Sequence, residues 1–116
     1  MKHIAYTLTS SDLEACLLAL TKLDLLHDDT GDVPEEQILI NKACALSASA
    51  KLSSGKQLNA NEMRVLCCCI SFCTLVCQRG ILTDTATYNE CMKYFFTFLK
   101  LDKELASQIM ELDSDF

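Results

Sequence analysis

The sequence predicts an all-α protein: a compact bundle of four main helices plus a short C-terminal helix, with an apolar helix at about 60–79 in its centre. Three observations carry this. Gly occurs three times and Pro once in 116 residues, too few for the many tight turns of an all-β fold. Residues 65–77 form an almost unbroken apolar run containing five cysteines, and a helix this apolar has to be surrounded by other helices. Helix-capping residues also precede the main apolar stretches. The length is near the commonest domain size, so one domain spanning 1–116 is expected.

Residues 2–8 alternate weakly (Ile4, Tyr6, Leu8) and read as an extended arm, 1–8. The first helix opens at Thr9, whose hydroxyl can cap backbone amides while Asp12, three residues on, reaches back. Its core stripe is Leu13, Cys16, Leu17, Leu20, Leu23 and His27, in steps of three and four. The polar turn 27–32, with Gly31, ends it. Pro34 suits the first position of a second helix, and Glu35 and Glu36 complement its positive end. That helix runs to about Leu52 and is rich in Ala, Ser and Cys, small residues that let a neighbouring helix come close.

Residues 53–56 stop it, and Asn59 with Glu62 repeats the capping pattern. The third helix follows, apolar except for a thin strip of Arg64, Ser71 and Gln78, with Gly80 as its terminator. Thr83 or Asp84 caps a fourth helix with Tyr88, Cys91, Met92, Phe95, Phe98 and Leu99 on its core side. A last helix, about 102–112, carries Leu105, Ile109 and Leu112. Shifting the chain by fifty residues lays helix one on helix three, Asp12 on Glu62 and Leu20 on Ile70. Helix two then falls on helix four, Ile38 on Tyr88 and Leu46 on Phe96. The correspondence is one of pattern and not of identity.

The formal net charge is −6 and the pI about 4.7. A surface of that sign repels phosphate backbones and anionic lipid heads, so direct nucleic-acid and membrane binding are disfavoured and a protein partner is favoured. The longest apolar run falls short of the ~20 residues of a membrane span. Residues 1–9 lack the apolar segment of a secretory signal. Eight cysteines, three of them consecutive (Cys67, Cys68, Cys69), then read as small buried hydrophobes in a reducing compartment, and a cytoplasmic location is expected.

Chemical constellations are sparse. Cys69, Cys73 and Cys77 share one stripe of helix three, but no C-x-x-C pair accompanies them, so no metal site and no cofactor is expected. Cys67 and Cys68, near Arg64, come nearest to the cationic setting of a reactive thiol. His27, beside Asp28 and Asp29, fits a histidine at a helix C-terminus better than a general base. The acidic turn Asp28, Asp29, Asp32, Glu35 and Glu36 lacks the calcium-loop pattern and would sooner engage a partner's lysines and arginines. Lys51, Lys56 and Arg64 cluster at one turn, but the helix that follows is too apolar to lie in a DNA groove. Glycine-rich phosphate loops, G-x-S-x-G and H-E-x-x-H are all absent from the sequence.

What stands out is surplus apolar surface: Leu18, Leu25 and Leu26 on helix one, Tyr94 and Phe96 on helix four. The function expected is therefore that of a non-catalytic protein-interaction module, not an enzyme. It would self-associate as a homodimer through the Leu18/Leu25 or the Tyr94/Phe96 side. A sharper version is an inhibitor that occludes a partner protein, as small acidic phage and mobile-element proteins do. The competing expectation is a cysteine-based redox or metal-binding protein.

Overall fold

A computed structural model describes residues 9–79 and 84–114, and all its regular elements are helices: α1 (Ser10–Leu20), α2 (Leu23–Thr30), α3 (Glu35–Ser53), α4 (Ala60–Arg79), α5 (Thr85–Met92) and α6 (Phe95–Ser114). The expected arm 1–8, Gly80 and Thr83 lie outside the described residues, as do the side chains of Asp29, Ile109 and Leu112.

Both capping boxes close. The Thr9 hydroxyl accepts from the Asp12 N–H at 3.1 Å, and Asp12 accepts the Thr9 N–H at 3.2 Å. The Asn59 side chain accepts from the Glu62 N–H, and Glu62 accepts the Asn59 N–H, each at 2.8 Å. These local bonds satisfy amide groups that the start of a helix leaves without partners. Pro34 sits one residue earlier than expected, at the N-cap of α3 and not inside it. Asp84 caps α5 by accepting from the Thr87 N–H at 2.8 Å. Gly55, at φ +73°, turns the chain out of α3, a conformation costly for any residue with a side chain.

Three helix boundaries differ from the sequence expectation. The first helix is broken at Thr21–Lys22, where the Thr21 hydroxyl takes the Leu18 carbonyl at 2.6 Å and competes with the helical ladder. The corner re-aims the chain so that Leu20, Leu23 and His27 are all buried. Helix four is broken likewise at Lys93–Tyr94. Its second part runs on without interruption as α6, absorbing the separate last helix. No Gly or Pro stands near Lys100–Asp102 to stop it, and Asp102, a residue type that can cap a helix, instead accepts from Ser71 of α4.

The core is one continuous cluster built around α4, which packs against each of the other five helices. Met63, Leu66, Cys69, Ile70, Cys73 and Val76 are fully or almost fully enclosed. α1 contributes Ala15, Cys16 and Ala19, α3 contributes Ala45 and Ala48, and α6 contributes Phe98, Leu101 and Leu105. Ala48 of α3 and Ala19 of α1 are both fully buried. With mean hydropathy 1.5, α4 is long and apolar enough to cross a membrane. Most of its apolar window is buried against the other helices, which is the packing reason for its composition. It is not apolar all round: Asn61, Cys68, Ser71 and Gln78 are exposed, and Ser71 donates to Asp102 of α6.

Candidate interaction surface

Among the described residues the surplus apolar surface lies mainly on α3. The helix repeats every 3.6 residues, so Ala45, Ala48 and Leu52, which face the core, place Leu39, Ala43, Leu46 and Ala50 on the opposite side. All four are exposed, Leu39 at 62% and Leu46 at 75%, with Ile40 beside them at 55%. The steps of four, three and four between them make a straight stripe along the helix. Ordinary surfaces expose single apolar residues, whereas here four share one helix face. The acidic end of this helix, Glu35 and Glu36, and the base that follows it, Lys56, are exposed as well. Lys42 on its flank meets Asp24 of α2 at 3.4 Å. Between them Leu20, Leu23, Ala45 and Leu46 line a groove of about 310 Å³.

Of the residues singled out from sequence, Glu35 and Glu36 begin α3, and the apolar ones lie outside it. Leu18, Leu25, Leu26 and Tyr94 are half-buried and packed against the core. The Tyr94 hydroxyl donates to Glu14 at 3.3 Å, and its ring meets Phe98 edge-on at 6.2 Å. Phe96, in contrast, is 82% exposed, with Met92 partly open on the preceding helix. Asp28, Asp32, Glu35 and Glu36 are exposed. Among the described residues no three His, Cys, Asp or Glu side chains gather in a way that could hold a metal ion.

His27 is buried, and its ring meets Asn41 of α3 across 3.1 Å at Nε2. Gln37 donates to the Asn41 side-chain oxygen at 2.8 Å, which turns the Asn41 NH₂ towards the imidazole. Nε2 therefore accepts, and the ring proton sits on Nδ1, which is buried with no acceptor. A positioning amide, not a carboxylate, thus orients this histidine.

The cysteines divide by depth. Cys16, Cys69, Cys73, Cys77 and Cys91 are buried, Cys44 and Cys67 half-buried and Cys68 exposed. Burial pushes the Cys16 and Cys69 thiols up to about 12 and Cys77 to about 11. Cys73 shares a hydrogen bond with Cys91 of α5. That bond, together with burial and the neighbouring sulfurs, holds its thiol far above the ordinary range. Burial raises Cys67 and Cys68 too, and both line a shallow hollow with Leu26 and Phe72. The Cys73–Cys91 bond, with the Lys22 ammonium nearby, holds the Cys91 thiol below its ordinary value despite its burial, whereas the other shifted thiols are all disfavoured as thiolates.

No family model, curated protein or solved structure matches the chain.

Sequence reasoning missed the α3 face. The signal was present: Leu39 and Leu46 lie seven apart, about half a helical turn from Ala48.

Proposed function

We propose that this chain is a non-catalytic protein-interaction module whose contact surface is the outward face of α3. The observation that carries the reading is the exposed stripe of Leu39, Ala43, Leu46 and Ala50, directly opposite the residues by which α3 joins the core. An apolar face of this kind loses its unfavourable hydration only when another surface covers it. The acidic balance of the chain favours a protein partner over nucleic acid or an anionic membrane. Eight free cysteines suit a reducing, cytoplasmic setting. Occlusion of a partner protein by this face is the form of inhibition that would suit so small a molecule.

The competing reading, cysteine redox chemistry, is favoured by the hydrogen-bonded Cys73–Cys91 pair between α4 and α5. Its weakness is that both sulfurs are enclosed in the core.

Affinity capture from the source cell, with wild type and a Leu39→Ser/Leu46→Ser variant as baits, tests the main reading. Both positions are exposed, so circular dichroism and melting temperature should match. A specific protein retained by wild type and lost by the variant is expected. Identical captures from the two baits would defeat the reading.

A further inference from the structure

We propose that the occupant of the α3 face is a second copy of this chain, docked α3 to α3 in antiparallel orientation about a two-fold axis near residues 44–45. The inference rests on the reading of that face as the contact surface and names what covers it.

The stripe is self-complementary. Antiparallel pairing about this axis sets Leu39 of one copy against Ala50 of the other, and Ala43 against Leu46. Each large side chain meets a small one, so the helices can approach to the short end of the ~8–10 Å range of packed pairs. Both contacts occur twice, as an isologous interface demands. A parallel pairing would stack Leu39 on Leu39 and Leu46 on Leu46, holding the axes apart.

Charge selects the same orientation. Glu35 and Glu36 lie at the start of α3, while Lys51 lies in its last turn and Lys56 just beyond the Gly55 turn. The periodicity puts Glu35 on one flank of the stripe and Glu36 on the other. Head-to-tail, Glu35 of one copy comes beside Lys56 of the other, and Glu36 beside Lys51. Lys51 keeps its bond to Glu62 but remains about one-third exposed. Parallel pairing would instead bring the four glutamates together. Ile40 flanks the stripe opposite Ser47 of the other copy, adding apolar area at the edge. One helix pair of 19 residues each is a small interface, so a dimer that forms in the micromolar range and above is expected.

The test uses the full chain, reduced, in sedimentation equilibrium from a few micromolar to several hundred. Wild type should shift with concentration from 12.9 kDa towards twice that mass. Leu46→Glu should weaken association at least tenfold, and Lys103→Glu, an exposed reversal on α6, should not change it. A Glu35→Lys/Glu36→Lys variant and a Lys51→Glu/Lys56→Glu variant should each associate more weakly alone. Their equimolar mixture should recover a wild-type-like dimer, because every flank contact again pairs opposite charges. The Lys51→Glu/Lys56→Glu variant removes an internal bond, so Lys56→Glu alone serves as its replacement if folding suffers.

A wild type that stays monomeric throughout overturns the inference. So does a dimer abolished by Phe96→Glu but not by Leu46→Glu, or a mixture no stronger than its components. A monomer whose Leu46→Glu variant loses a captured protein overturns the dimer but leaves the contact surface standing. A monomer for which the two captures are identical removes both. A monomer destabilised by Leu46→Ser would show that the chain itself covers the face, and overturns the dimer as well.

Discussion

Lys51 of α3 donates to Glu62 of α4 across 2.7 Å, fastening the end of one helix to the first turn of the next. Glu62 is 2% exposed, and it also accepts the Asn59 N–H and the Ser47 hydroxyl. The same device recurs across the molecule, where Lys100 of α6 donates to the buried capping acid Asp12 of α1 at 2.8 Å. In each case the cap acid of one helical hairpin receives a lysine from the second half of the other. The fifty-residue correspondence therefore has a structural counterpart. Asp12 and Glu62, Cys16 and Leu66, Leu20 and Ile70, and Ala48 and Phe98 are buried in pairs, while Leu46 and Phe96 are both exposed.

The Glu62 network should be among the most sensitive polar features of the fold. Glu62→Ala leaves Ser47, Lys51 and the Asn59 amide without their common acceptor, and should cost about 3 kcal/mol. Asn59→Ala removes one cap bond and should cost about 1 kcal/mol. Urea unfolding at neutral pH measures both. Equal losses from the two variants would show that the glutamate acts only as a local cap.

Acid should loosen the protein through Asp12 and Glu62. Burial by itself raises both carboxyls, but the lysine and backbone hydrogen bonds outweigh it and hold each below its ordinary value. The unfolded chain, with carboxyls near about 4, then binds more protons than the folded one. Their stabilisation is complete above about pH 5 and is lost as pH falls through the depressed folded values. The urea midpoint should fall below about pH 4.5. In an Asp12→Asn/Glu62→Gln variant it should start lower and fall less steeply. A wild-type profile no steeper than the variant's would refute the linkage.

How much of this was legible in the sequence depends on the range of the interaction. Thr9 with Asp12 and Asn59 with Glu62 are contacts within three residues, and they could be read directly. The buried run of α4 was legible because its composition leaves no polar face wide enough for full exposure. The corner at Thr21–Lys22 was not, since neither residue is a strong breaker. It exists because Leu23 and His27 are drawn into the core while Lys22 meets Glu90 of α5 at 3.2 Å. The outward stripe of α3 was also missed. Leu39 and Leu46 look like core residues until the alanines opposite are known to have taken that place.

His27 carries a cost that a substitution can expose. Its Nδ1–H is buried without an acceptor, while its one ring bond goes to Asn41, a half-buried residue that water can serve instead. An unsatisfied buried donor costs about 1–3 kcal/mol, more than one ordinary hydrogen bond returns. His27→Leu should therefore raise stability by about 1 kcal/mol, read as an increase in melting temperature. A loss of stability would mean that the imidazole makes a contact this arrangement does not account for.

Thiol reactivity should follow depth. Cys68 is the most exposed of the eight cysteines, and although burial raises its thiol, a reagent can reach it from the shallow hollow beside Phe72. Cys16 and Cys69 combine enclosure with thiols pushed up to about 12, so they should react only when the chain opens. Titration of the native protein with a disulfide reagent at pH 8 should give one fast thiol, slower reaction at Cys44 and Cys67, and five that appear with unfolding. Cys68→Ser should delete the fast phase and leave the melting temperature within a degree or two, because its side chain contributes little to the core. If Cys73 and Cys91 instead disappear together from the thiol count on mild treatment with hydroperoxide, the pair is a working dithiol. The centre of the fold would then be chemistry and not packing.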